Sequence, residues 1–288
     1  MFEIDGVPFW KMHGSGNDFI IIDNRGGVFP RTDRPGLVAR LCRRSVGIGA
    51  DGLILVEDDP YSDFLWRFYN SDGSEAEMCG NGARCVARFA FLKQIAGIEM
   101  TFMTPAGPIQ ACVERDRVRL EMTRPFGLRR VVELECETGP EKVAFINTGV
   151  PHAVVQVRDG LDAVDVAGRG RRIRLHPEFS PAGTNVDFMT VFDEHRLAVR
   201  TFERGVEDET MGCGTGAVAA ALVAADAGLV RSPVEVTTRA GDRLKVYFER
   251  NGRGFREVFL EGGAVIVYKG VLEREFLAAA ENGSVGFE

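Results

Sequence analysis

Two cysteines stand in nearly the same words. Cys79 opens Cys-Gly-Asn-Gly-Ala and Cys213 opens Cys-Gly-Thr-Gly-Ala, each where a helix is about to begin. At a helix N-terminus the free N–H groups and the helix dipole favour an anion, so a thiol there is expected to ionise more readily. At an ordinary pKa near 8.5 about 3% of a thiol is ionised at neutral pH, and a shift to about 7 makes that half. The flanking glycines let backbone N–H groups come close to a ligand, so the same helix end can hold a carboxylate. Two such ends packed face to face would set two thiols on opposite sides of one small anionic ligand. Inverting a stereocentre by proton transfer needs a base on one face of the carbon and an acid on the other, and two cysteines can exchange those roles. The other cysteines, Cys42, Cys85, Cys112 and Cys136, lack the glycines and read as packing residues.

Gly-Cys-Gly-Thr-Gly also resembles the loops that open S-adenosylmethionine and dinucleotide sites. Such a loop follows a buried parallel strand directly. Here Val206-Glu-Asp-Glu-Thr-Met precedes Gly212, an acidic loop, and no acidic residue ends a second strand about twenty positions on. A methyltransferase is the distant alternative.

The whole chain narrows the class further. Its 288 residues are 45% hydrophobic, enough for one large or two modest cores. A net charge of -7 argues against nucleic acid as a partner. The one basic cluster, Arg169-Gly-Arg171-Arg172-Ile-Arg174, reads as a solvated loop or strand face. The N-terminus has no signal-peptide pattern and no stretch approaches 18 apolar residues, so a cytoplasmic protein with no membrane span is expected. Six cysteines without a Cys-x-x-Cys pair predict neither a disulfide scaffold nor a metal site.

The elements that position the cysteines repeat. At the offset of 134 that separates Cys79 from Cys213, Phe68 meets Phe202, Glu75 meets Glu209, and Gly49-Ala-Asp51 meets Gly183-Thr-Asn185. At 133, the stretch from Gly16 to Asp23 meets the one from Gly149 to Gln156. Each half has an apolar strand after a glycine turn (Phe19 to Asp23, Ala153 to Val157), then an alternating strand (Phe64 to Tyr69, Leu197 to Phe202). An acidic loop then leads to the cysteine and its helix. The helices are expected at about 80–96, stopping at Gly97, and 214–227, stopping at Gly228, the second apolar all round. Further strands follow, at 108–113, 118–122, 234–238 and 244–248. This order predicts an α+β fold of two homologous lobes, each an antiparallel sheet or barrel around a central apolar helix, related by a pseudo-twofold axis. The lobes are expected at 1–122 plus 263–288 and at 123–262, with the active site in the cleft between them.

Several motifs together resemble the diaminopimelate epimerases: KMHGSGNDFIIID (11–23), GIGADGLIL (47–55), NSDGSEAEMCGNGARC (70–85), NTGVPHAVV (147–155), GTNVDFM (183–189) and ERGVEDETMGCGTGA (203–217). The resemblance implies a cofactor-independent isomerase of lysine and peptidoglycan biosynthesis, interconverting LL- and meso-diaminopimelate through a two-cysteine acid–base pair, Cys79 and Cys213. It assigns Gly80, Asn81, Gly214 and Thr215 to the α-carboxylate, and Asn17, Asn70, Asn185 and Arg204 to the rest of the substrate. Glu203 and His152 match groups that bind the amine or tune the cysteines, and Tyr268 matches a homodimer contact. Plainer readings stand beside these: Asn70 as a turn former, His152 as a core histidine, Glu203 and Arg204 as a surface pair, Tyr268 as a core aromatic, His13 as structural. Gly52 and Val150, read as loop positions, stand where family members carry glutamine and asparagine respectively. The same fold hosts proline and hydroxyproline epimerases, a histidine racemase and phenazine-type isomerases; the last lack the cysteine pair.

Overall fold

The computed structural model describes residues 6–281 except 32, 137, 138, 159 and 253, with side chains to 277. The termini assigned to the first lobe, 1–5 and 282–288, lie outside these. The chain divides into two compact units, Met1–Leu120 with Gly263–Glu288, and Glu121–Gly262.

The first unit runs β1 (Val7–Gly14), β2 (Asn17–Asp23), α1 (Arg34–Cys42), β3 (Gly52–Glu57), β4 (Phe64–Asn70), β5 (Glu75–Ala76), α2 (Gly80–Leu92), β6 (Glu99–Thr104), β7 (Gly107–Glu114) and β8 (Arg117–Glu121). The second runs β9 (Phe126–Cys136), β10 (Gly139–Asn147), β11 (Pro151–Gln156), α3 (Val166–Arg174), β12 (Asn185–Asp193), β13 (Arg196–Glu203), β14 (Asp208–Thr210), α4 (Gly214–Asp226), β15 (Val234–Thr237), β16 (Arg243–Asn251) and β17 (Gly254–Gly263). The last strand, β18 (Val265–Leu272), returns to the first unit and pairs antiparallel with β1. In the second unit β9 pairs antiparallel with β10 in the same way.

The two units therefore repeat one plan. Helices α2 and α4 are each 13 residues long and start 134 residues apart. The sheets are not purely antiparallel, contrary to expectation: β2–β3, β4–β6, β11–β12 and β13–β15 are parallel. In each case a helix lies between the paired strands in the chain, and such a crossover returns the strand in its original direction.

Period-two alternation sorts the strand residues onto two faces. In the first unit Phe19, Ile21, Ile54 and Val56 pack with α2, while Ile20, Ile22, Leu53 and Leu55 pack with α1. In the second, Val154 and Met189 pack with α4, while Ala153, Val155, Val186 and Phe188 pack with α3. Helix α4 packs against β10, β11, β12, β13, β15 and β16. Its residues Ala217 to Ala225 are all buried, as an all-round apolar helix must be.

Three local expectations are corrected. Helix α2 ends at Leu92, not near 96, because Gln94 takes the left-handed conformation (φ 58°) and Ile95 N–H closes onto Ala90 C=O at 2.8 Å. Gly228 (φ 76°), 134 residues on, does the same for α4, with Leu229 N–H on Ala224 C=O at 2.9 Å. The basic cluster forms α3, not a loop or strand face; Asp165 caps it by accepting from Gly168 N–H, and Arg169 pairs with Glu141 at 2.6 Å. Gly52 opens β3 rather than a loop, and a Cβ there would lie 2.5 Å from the Phe68 ring. That packing leaves no room for a larger side chain without displacing Phe68. Among the described residues no helix is long and apolar enough to cross a membrane.

Candidate active site

Each cysteine is the N-cap of its helix, Cys79 half-buried before α2 and Cys213 buried before α4. Gly80 and Asn81, and Gly214 and Thr215, form the first helical turns. The second glycine of each motif answers to crowding. A Cβ on Gly82 would sit 3.2 Å from Ile54, and one on Gly216 would sit 2.3 Å from Asp187 Oδ1.

In the first unit Cys79 Sγ lies 3.4 Å from Asn17 Oδ1, positioned to donate to it. Asn81 Nδ2 approaches the same oxygen at 3.5 Å. Two ionic groups set these amides. Asn17 Nδ2 donates to Asp51 Oδ2 at 2.7 Å, which turns its carbonyl toward Cys79. Arg84, fully buried, donates to Asn81 Oδ1 at 2.7 Å and to Ser15 Oγ at 3.2 Å, which leaves the Asn81 NH2 as the donor on the Asn17 side. Asp51 is held by Arg44 at 3.0 Å, and Arg44 also pairs with Asp18 at 2.9 Å. Lys11 pairs with Asp18 at 2.8 Å and donates to the Gly49 carbonyl. Burial opposes ionisation of Asp18, but Arg44 and Lys11 prevail and hold its carboxyl at about 2. Its stabilising contribution is therefore present above about pH 4 and lost as the pH falls toward 2.

In the second unit the group at the helix start is different. His152, fully buried on β11, holds Asp187 Oδ2 at 2.7 Å through Nδ1 and Thr215 Oγ1 at 3.0 Å through Nε2. Thr215 Oγ1 lies 3.4 Å from Cys213 Sγ, and Thr201 Oγ1 donates to Asp187 Oδ1 at 2.7 Å. The expected easier ionisation does not hold for Cys213. Burial pushes its thiol up, and the charges of Glu203 and Asp187 add to this; the Thr215 hydroxyl and Gly216 N–H work the other way. Desolvation outweighs the helix end. Burial also raises Glu203, with the Thr210 hydroxyl and His152 opposing and the Asp187 charge adding. For Cys42 and Cys85, read as packing residues, burial pushes the thiols up to about 12.

The remaining residues divide. Asn185 opens β12 and its Oδ1 accepts from Arg204 N–H at 2.8 Å, while Arg204 Nη1 donates to the Ala182 carbonyl at 3.3 Å. Asn70 closes β4 and organises the turn that follows: its Nδ2 donates to Ser74 Oγ at 3.0 Å and its N–H to the Ser74 carbonyl at 2.8 Å. None of these bonds brings it to Cys79. His13 lies on β1 opposite Asp18. Tyr268, on β18, is 43% exposed and meets the Phe9 ring edge-on. Sequence reasoning passed over Asp51, Arg84, Asp187 and Thr201. A signal for three of them was present: an acid in GADG, an arginine inside an apolar helix, and an acid inside the apolar strand of GTNVDFM.

Chains of known structure define the fold class first. A phenazine biosynthesis protein of the PhzF family from Bacillus anthracis matches with a TM-score of 0.70 and 16% identity, over 93% of this chain and 99% of that one. A probable proline racemase from Agrobacterium radiobacter matches at 0.66 and 16%, over 95% of each. The family follows from sequence. The model of the diaminopimelate epimerase family matches residues 9–126 and 144–267. The diaminopimelate epimerase of Aquifex aeolicus is 45% identical over 94% of this chain and 99% of its own length, and that of Archaeoglobus fulgidus is 40% identical over 92% and 96%. The chain belongs to the diaminopimelate epimerase family.

Proposed function

We propose that this chain interconverts LL- and meso-diaminopimelate, without a cofactor, by proton transfer between the α-carbon and Cys79 and Cys213. The observation that carries the site assignment is the duplicated N-cap thiol, each at the start of a 13-residue helix with glycine at the next position. As a thiolate, one cysteine takes the α-proton while the other, as a thiol, delivers a proton to the opposite face. The C–H bond breaks as an S–H bond forms, and the reverse happens across the carbon, so the pair ends with its protonation exchanged. The carbanion between these events is delocalised into the α-carboxylate, which first-turn N–H groups of a helix are suited to hold. Asn81 supports this with its NH2, the donor that Arg84 leaves available. Asn17, Asn70, Asn185, Glu203 and Arg204 serve recognition of the rest of the substrate, and His152 tunes the thiol chemistry. A reducing cytoplasm suits two free thiols of this role.

In deuterated water, purified protein without added cofactor is expected to place deuterium at the α-carbon of LL-diaminopimelate. The reading falls if proline or histidine turns over with the higher kcat/KM. Recognition of a second amino-acid head needs its carboxylate paired, and Arg204 suits a bidentate clamp. Arg204→Met is therefore expected to lower kcat/KM for diaminopimelate by about 10²-fold, as truncating one partner of a charge pair does. Val150→Asn should change it by less than about tenfold, because Val150 carries no side-chain donor to lose.

The chain is also proposed to work as a homodimer through β18, where Val267, Tyr268 and Val271 are each exposed. Tyr268→Glu should shift the sedimenting species to the monomer; an unchanged dimer would remove β18 from the interface.

A further inference from the structure

The two units share a plan but differ beneath their cysteines, and strand register makes the difference explicit. Ile54 pairs with Ile21 on one side and Phe68 on the other. In the second unit Asp187 holds that place, pairing with Val154 and Thr201. Likewise Phe19 opposite Gly52 corresponds to His152 opposite Asn185. So Phe19, Ile54 and Phe68, an apolar trio with Phe19 and Phe68 edge-on at 5.8 Å, are replaced at an offset of 133 by His152, Asp187 and Thr201; the strand register thus matches Phe68 to Thr201, not to Phe202 as the offset of 134 does. Both trios face the first turn of a helix. The glycines report it: Gly82 is crowded by Ile54, Trp66 and Phe19, Gly216 by Asp187 and Thr201.

We infer that Asp187 is a positioning residue for Cys213, acting through His152 and Thr215 as a buried hydrogen-bonded relay built on positions that Phe19, Ile54 and Phe68 fill in the first unit. This rests on the reading of Cys213 as an acid–base thiol. Asp187 and Thr201 are satisfied in one arrangement: Thr201 donates to Oδ1 and the His152 Nδ1–H donates to Oδ2. That makes Nδ1 the donor; in the neutral ring Nε2 then accepts, the Thr215 O–H points to Nε2 and its lone pair faces the Cys213 thiol. When the thiol ionises, the S–H proton passes to the Thr215 oxygen as the Thr215 proton passes to Nε2. The resulting imidazolium lies against the Asp187 carboxylate, and a thiolate stands at the helix end.

Within this unit the titratable groups facing the thiol are Asp187 of β12, Glu203 of β13 and, through Thr215, His152 of β11. The direct fields of Asp187 and Glu203 oppose a thiolate. Coupling through His152 reverses the sign for Asp187, so the two roles predict opposite outcomes for one substitution. The measurement is the ultraviolet thiolate absorbance against pH, taken as the difference between each protein and its own Cys213→Ser version. Asp187→Asn should move the Cys213 midpoint up by about one pH unit, because the imidazolium loses its counter-charge. The Cys79 midpoint, read against Cys79→Ser, should stay in place. A Cys213 midpoint that falls or does not move overturns the relay. If Asp187→Asn does not fold, Thr215→Val cuts the relay while keeping every charge and should raise the midpoint, and Thr215→Ser should restore it; Thr215→Val titrating like the unaltered chain is equally fatal. No substrate enters these titrations, so their failure leaves the epimerase reading standing, and failure of the diaminopimelate assay leaves the titrations interpretable.

Discussion

Cys79→Ser and Cys213→Ser should each lower epimerisation by about 10³-fold or more, at the upper end of what a positioned acid or base contributes. Serine keeps the shape of the N-cap, so folding is not the cause: neither thiol makes a cap bond from its side chain that the hydroxyl would fail to make. What changes is acidity, since a hydroxyl near neutral pH cannot release or hold the proton on the time scale of turnover. The double variant should be little worse than either single one, because the two groups act in one event. The check is kcat in both directions with LL- and meso-diaminopimelate, beside far-ultraviolet circular dichroism. Turnover within tenfold of the unaltered chain in either variant removes that cysteine from the reaction.

Gly216→Ala should be damaging out of proportion to its size. The added Cβ would lie 2.3 Å from Asp187 Oδ1 and 3.0 Å from Thr201 Oγ1, and both are fixed by buried hydrogen bonds. Overpacking of this kind costs about 1–3 kcal/mol, or about 3–10 °C in Tm for a chain of this size. It should also displace the Asp187–His152 contact and with it activity. Gly80→Ala is the matched control: its Cβ meets nothing within 4 Å, although it too is in the first turn beside a cysteine. Thermal denaturation of the two variants side by side settles the comparison, and equal losses of Tm would mean that crowding at Gly216 is not what excludes alanine.

The fold was legible because duplication prints each signal twice. The match of Cys79-Gly-x-Gly-Ala to Cys213-Gly-x-Gly-Ala set the offset at which both helices begin. The apolar run of α4 said that the helix is enclosed. Other features depend on partners that sequence spacing does not reveal. Gln94 closes α2 without glycine because Ile95 is drawn onto the core beside it. The parallel pairings follow from where α1 and α2 cross, which local periodicity does not encode. The thiol of Cys213 was expected to benefit from the helix end; how deeply it is buried, and that Asp187 and Glu203 face it, are properties of the packed unit. Asp187 itself was visible only as a misfit in an apolar strand, and its meaning came from the register that set it beside His152 and against Gly216.

The return of β18 to β1 has a consequence for synthesis on the ribosome. The second unit is one continuous stretch, Glu121–Gly262, and its strands are all available once that stretch has emerged. The first unit is translated earlier yet is left incomplete, because β1 pairs from Val7 to His13 with a strand that begins at Val265. At about 5–20 residues per second, that edge of β1 stays unpaired for about 7–30 s after Leu120 has been added. The unit made first is thus the last to close, and a stop codon placed just before β18 should release a protein whose second unit is protected from proteolysis while its first is not.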